Sequence, residues 1–357
     1  MTRIPWITAD LPGSGGVLRP EPEDFVVDEV LPYPRAGEGD HLFVRFEKVG
    51  LNTPDALARI VDAAGLGAGR RLPPEVGYAG LKDRHARTRQ WMSLPWPAKS
   101  EPPDLSAAEG EQLRILETAR HPHKLRKGHQ SGNHFQIVLR EVPDGGLNRG
   151  RDILERLRVT GVPHAFGPQR FGRDGDNDQV ALSFVRGQSR PPRDRHLRDL
   201  LLSALQSRVF NEVLARRIER GLLARALDGD VMTKHATGGM FVVEDAAVEQ
   251  PRVDALEISP TGPLPGKKMR APSGAAAALE AEVLEALGLG PQDVARLGPG
   301  TRRALRYPLD ADVQLTAPAP DTLMLEVFLP SGAYATVLLD ELVKPEGGPF
   351  TRRGAED

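Results

Sequence analysis

The chain contains no cysteine. That absence excludes a disulfide framework, thiolate-ligated zinc and any reaction whose nucleophile is a thiolate. Long apolar runs are also missing: nowhere do 18 apolar residues follow one another, so no membrane-spanning helix is expected. The opening MTRIPWITADLPGSGG has no positively charged start followed by an apolar stretch, so it does not read as a secretory leader, and a cytoplasmic location is expected. Charge of one sign is lacking too. With 47 basic against 49 acidic residues the net charge is −2, which provides no global signature of nucleic-acid binding. What is present is ordinary for a soluble globular protein: 357 residues, 39% of them hydrophobic, enough for the cores of two or three domains.

Periodicity predicts strands over 23–31, 41–47, 76–79, 90–94 and 134–142. A helix is expected to open with Thr53 as cap and Pro54 behind it, with Leu57, Ile60 and Val61 on one face and an end near Gly65. A second helix is predicted over 149–159, stopped by Gly161. Mixed elements in this order predict an α+β fold on an antiparallel or mixed sheet. From residue 161 the texture changes. A Gly-rich turn and a basic linker lead to a helix over 196–219, the Gly- and Pro-containing stretch 228–272 reads as loop-rich, and helices are expected at 274–287 and 291–305. Residues 322–342 then hold a dense apolar strand and a final apolar segment.

The most informative stretch is GYAGLKDRHARTRQWMSL, residues 77–94. Small residues suited to a strand end and tight turn lead into Lys82, Asp83, Arg84 and His85, displayed where a reactive side chain can be reached. Neighbouring positive charge favours the ionised carboxylate, the competent form of a nucleophile or base, so Lys82 and Arg84 are candidates to activate Asp83. Charge is locally concentrated elsewhere. No acidic residue lies between Glu117 and Glu141, while Arg120, Lys124, Arg126, Lys127 and Arg140 are basic, a candidate phosphate-binding strip. A second basic stretch runs from Arg186 to Arg198. Read from pattern alone, Phe25 is an inward strand residue and Asn133 a turn residue before a strand.

YAGLKDRHARTRQW resembles the signature of the tRNA pseudouridine synthase D (TruD) family, which reads approximately AG-x-KD-[KR]-x-A-x-T-x-Q. PEDFVVDE at 22–29, KLRKGHQSGNHFQIVLR at 124–140, GVPHAFGPQRFG at 161–172 and LPSGAYATVLLDEL at 329–342 resemble further family motifs, in family order from about residue 17 to residue 345. The resemblance implies a pseudouridine synthase catalytic domain formed by 1–160 and 307–357, with 161–306 as an inserted α/β TRUD domain. It implies a tRNA substrate whose uridine 13 is isomerised, with Asp83 as nucleophile and Phe25, Asn133 and Tyr334 as substrate-binding residues. Tyr334 stands where the family often has phenylalanine, a change that keeps the ring and adds a hydroxyl. Arg19 is the candidate cationic partner of Asp83. Lys82 and Gln90 are candidates for support, and Lys124, Arg126, Lys127 and Arg170 for RNA contacts.

No organic cofactor, metal, membrane or protein partner is expected. The histidines around His121, His123 and His129 lack acidic or thiolate companions, and DGDNDQ from Asp174 lacks the glycine and glutamate of a calcium loop. The rival reading is a catalytically inactive RNA-binding or RNA-folding module of the same fold, which shares the basic strips and aromatics and differs only in Asp83. A metal-dependent nuclease would need clustered carboxylates that this sequence does not show.

Overall fold

Strand β2 (His41–Lys48) shows how pattern becomes architecture: Leu42, Val44, Phe46 and Lys48 point to one face and Phe43, Arg45 and Glu47 to the other. In a computed structural model that describes residues 3–19, 21–67 and 72–346, β2 sits in an eight-stranded sheet. Its partners are β1 (Phe25–Val30), β3 (Gly77–Tyr78), β4 (Arg87–Pro95), β5 (Leu113–His121), β6 (Gly132–Leu139), β7 (Gln314–Ala319) and β8 (Thr322–Pro330). The order is β7-β8-β6-β1-β4-β2-β5, with β3 also on β4. Among the described residues of this sheet only β1 and β4 run parallel; the other pairings are antiparallel, so the sheet is mixed as expected.

Helix α1 (Thr53–Ala63) covers part of this sheet. Its Ala56, Leu57, Ile60 and Val61 are fully buried, in one cluster with Leu42, Val44, Phe46, Met92 and Leu94. Each such Leu, Ile or Phe is stabilised by about 1.5–3 kcal/mol relative to an exposed one. The helix ends where expected, at Gly65 with φ 71°. The cap differs: Asn52 occupies that position, and Thr53 lies inside the helix with its hydroxyl turned to the 77–85 loop. At the start of β6, a Cβ on Gly132 would lie 2.2 Å from the Leu329 carbonyl oxygen, so the close approach of β8 requires glycine there.

The chain divides into two compact units. The sheet belongs to one, formed by Gly15–Leu147 and Asp312–Gly332. The other takes the chain through Ser14, Asn148–Ala311 and the segment from Ala333. The chain crosses between the units at 14/15, 147/148, 311/312 and 332/333, whereas the family resemblance sets boundaries at 160/161 and 306/307 and groups 1–14 and 333–346 with the sheet.

The second unit is built around the 25-residue helix Arg195–Glu219, capped by Asp194, whose carboxylate accepts from the Leu197 amide. Leu201, Ala204, Leu205, Val209 and Phe210 bury its apolar face. Here several sequence expectations are corrected. The 228–272 stretch is not loop-rich: it holds strands Val231–Lys234, Met240–Val242 and Ile258–Leu264 and helix Ala246–Asp254. Its Gly and Pro residues punctuate short elements that pair across a four-stranded sheet completed by Thr301–Ala304. That last strand replaces the second half of the helix expected over 291–305, which stops at Arg296 before Gly298 and Gly300, both with positive φ. The calcium-loop lookalike starts helix Asn177–Val185, and its Asp178 is buried against Arg208 at 3.0 Å.

Candidate functional site

Asp83 lies in the loop between β3 and β4 with its side chain exposed. Oδ1 accepts a 2.9 Å hydrogen bond from the His85 amide, which sets the direction of the carboxylate without burying it. The loop beneath is tied down at successive residues. Gln90 Nε2 donates to the Gly80 carbonyl (3.4 Å), the Lys82 amide donates to Thr53 Oγ1 (3.0 Å), and Lys48 Nζ donates to the Asp83 carbonyl (2.8 Å). The Thr53 hydroxyl in turn donates to Gln90 Oε1 at 3.1 Å, closing the network. Where the loop begins, a Cβ on Gly77 would fall 2.0 Å from the Leu125 carbonyl oxygen, so this strand end lies against the backbone of the basic strip.

The cation beneath Asp83 is Lys48, the inward residue at the end of β2. It is fully buried. Burial pulls its ammonium down to about 8; the charge of Asp83 opposes that fall and the charge of Lys82 adds to it. Lys82, proposed from sequence as an activator, turns inward instead. Its Nζ lies 2.7 Å from Glu29 Oε2 and donates to Gln130 Oε1 at 2.7 Å. Glu29 has a fully buried side chain that also accepts from the Trp91 amide at 3.1 Å. Arg84 Nε points to the Gly50 carbonyl at 3.3 Å. Arg19, the candidate partner from sequence, pairs with Glu141 at 2.8 Å.

Phe25, Val27 and Glu29 share one face of β1, and directly opposite Glu29 on β6 stands Asn133. Phe25 is half-buried and meets Phe135 edge to face, with centroids 5.8 Å apart. Asn133 Oδ1 is buried with no hydrogen-bond partner in the protein, which leaves it as an acceptor for a donor from water or ligand. Asn133, Glu29 and Gln90 therefore belong to three neighbouring strands, and Lys48 to the next.

The basic strip splits into two kinds of residue. Arg140 makes a bidentate 2.7 Å pair with buried Asp24, Arg120 donates to the carbonyls of Trp96 and Pro97, and Lys124 to that of Pro74. Arg126 and Lys127 are exposed, Lys127 with its ammonium 5.5 Å from the Tyr78 ring. The strip's His121 stacks on Tyr33 at 5.0 Å and tilts against Phe43 at 4.7 Å, a buried packing residue. Among the described residues no group of three or more His, Asp or Glu is arranged to hold a metal ion.

Tyr334 and Arg170 lie in the second unit. Tyr334 caps helix Ala335–Val343 and meets Phe166 edge to face at 6.1 Å. Arg303 lies 4.2 Å over that Phe166 ring and Arg170 5.5 Å from it. Burial pulls Arg303 down to about 10 despite the opposing influence of Tyr334 and Tyr307, while Arg170 lowers it further. Arg170 is steadied by a 3.0 Å bond to Ser207. A Cβ on Gly167 would come within 3.0 Å of the Tyr334 ring, so glycine lets ring and turn meet.

Sequence reasoning passed over Lys48, Glu29 and Arg303. A signal existed for the first two: Lys48 continues the inward series Leu42, Val44, Phe46, and Glu29 the series Phe25, Val27. A charged residue at an inward strand position needs a buried partner. Arg303 sits in the strand Thr301–Ala304, too short for alternation to mark it in the sequence.

Comparisons with known proteins point in one direction. The family model for tRNA pseudouridine synthase D (TruD) matches residues 2–191 and 193–342. Proteins named tRNA pseudouridine synthase D from Anaeromyxobacter dehalogenans and Thermus thermophilus are 46% and 43% identical to this chain, over 97% and 96% of it and 98% and 93% of their own lengths. A crystal structure of a tRNA pseudouridine synthase D (TruD) protein from Methanosarcina mazei superposes with a TM-score of 0.71 over 96% of each chain at 22% identity, which supports the fold. From motif order, mixed sheet and a family match along nearly the whole sequence, this chain belongs to the tRNA pseudouridine synthase D (TruD) family.

Proposed function

We propose that this protein isomerises uridine 13 of tRNA to pseudouridine, with Asp83 as the catalytic carboxylate. The observation that carries this reading is an exposed aspartate held on a braced loop, with a buried lysine beneath it. The reaction breaks the bond between N1 of uracil and C1′ of ribose, turns the base while it stays bound, and joins C5 to C1′; the proton on C5 leaves and one is taken up at N1. No electrons are gained or lost, so a carboxylate suffices. Asp83 either attacks the sugar, forming a bond that C5 later displaces, or withdraws a sugar proton and returns it.

Phe25 offers a ring for the uracil to stack upon, an interaction worth about 1–3 kcal/mol per base. Asn133 offers its unpartnered oxygen to a donor on the base or ribose. In the second unit, which carries the 161–306 insertion, Tyr334 supplies a ring and Arg170 a cation for the RNA. Because the target lies within folded tRNA, it must be extruded, and recognition then depends on shape and backbone as much as on sequence.

Incubation of unmodified tRNA transcripts with the protein, followed by carbodiimide treatment and primer extension, is expected to give a stop at position 13. Asp83→Asn should reduce the rate by at least about 10²–10⁴-fold while retaining tRNA binding. Binding without any stop for the wild type would establish the inactive module instead.

A further inference from the structure

Leu81 is 66% exposed, two residues before Asp83. Among the described residues it is the large exposed apolar side chain that stands closest in sequence to the carboxylate. Loop mobility does not explain the exposure, because the carbonyl of Gly80, the amide of Lys82 and the carbonyl of Asp83 are all hydrogen-bonded to the protein. The intervening Lys82 turns inward, its side chain 6% exposed and anchored on Glu29 and Gln130. Leu81 and Asp83 are consequently presented outward on either side of it. Two residues of chain reach no farther than about 7 Å, so the backbones that carry the leucine and the carboxylate are separated by no more than the span of a nucleotide.

A nucleotide drawn out of its stack leaves a place between the flanking bases, and apolar side chains inserted there hold the stack open. We propose that Leu81 is that wedge: it occupies the vacated position while Asp83 faces the ribose of the everted uridine. Exposed Arg84 and Lys127 add positive charge to the same loop and to the adjacent strip, where flanking phosphates would lie. The inference rests on the pseudouridine synthase reading above and assigns the step that precedes chemistry.

The test uses single-turnover pseudouridine formation on a folded tRNA transcript with wild type, Leu81→Ala and Leu81→Met, together with binding affinity. Leu81→Ala is expected to slow the reaction about 10- to 100-fold with affinity changed less than about threefold, and Leu81→Met to stay within about threefold of wild type. A second readout is independent of turnover: 2-aminopurine placed beside the target reports unstacking on binding. Its signal should persist with Asp83→Asn and vanish with Leu81→Ala/Asp83→Asn. Wild-type rate for Leu81→Ala, or a slowed variant with an unchanged 2-aminopurine signal, overturns the wedge. A wild type that forms no pseudouridine removes the underlying reading, a result that the Leu81 variants do not imitate.

Discussion

The two faces of the eight-stranded sheet use charge in opposite ways. On the inward face a few polar side chains, Lys48, Glu29 and Gln90, are buried among Leu, Phe and Met, and they brace the Asp83 loop. On the outward face an alternating ladder runs along the sheet with its arginines partly exposed and Glu47 buried: Glu23 to Arg87 at 2.7 Å, Arg87 to Glu47 at 2.8 Å, Glu47 to Arg89 at 3.0 Å, then Asp28 to Arg45 at 2.6 Å. A depression of about 510 Å³ lies there, lined by Arg45, Glu47, Arg87, Arg89, Arg114 and Leu116. Solvent reaches Glu23, Asp28 and the arginines, and a pair that it screens is worth about 0–1 kcal/mol. Partners of a buried charge cannot be replaced by water, so the smaller network carries the greater consequence.

That contrast can be broken most forcefully at Glu29. Glu29→Leu strands the Lys82 ammonium in the interior, and urea unfolding should show a loss of about 3–5 kcal/mol. Adding Lys82→Met should restore most of it; a double variant as unstable as the single one would show that the pair does not act as a unit. Next in size is Lys48. Its ammonium titrates near 8 in the folded protein and near about 10.4 unfolded, so between these values the unfolded chain binds more protons and stability rises with pH. Lys48→Met should flatten that rise, which amounts to on the order of 3 kcal/mol, and should be neutral or stabilising at about pH 7. In the same experiment the wild-type rate should fall as pH passes about 8, because Asp83 loses its cation, and the variant should lack this limb. A descending limb that survives Lys48→Met belongs to another group. Smallest is the outer ladder: Arg45→Ala should cost within about 1 kcal/mol, less in high salt. A loss several times larger would mean that the ladder works as a cooperative network.

Strands with clear alternation and the α1 helix were legible because one periodicity decided each. β5 was missed: its outward residues are mixed in character, and its basic end drew attention as a phosphate strip, though Arg120 is spent on the Trp96 and Pro97 carbonyls. The short strands within 228–272 escaped for a related reason, since three- to seven-residue elements rich in Gly and Pro carry too little pattern to outweigh their turn signals. At the site, Asp83 was visible as a motif. Its surroundings were not: the adjacent Lys82 and Arg84 looked like its partners and are directed elsewhere, while the lysine that reaches it comes from 35 positions away.

By itself the sequence determined which carboxylate is displayed and the family to which the motifs point, because these depend on residue types at short spacing. Tertiary structure alone decided that Lys48 lies beneath Asp83, that Glu29 draws Lys82 inward, and that Leu81 is left standing in solvent. Those choices rest on strand register and burial, which bring distant residues within a few ångströms and make a charge in the interior answer to whichever partner the fold supplies.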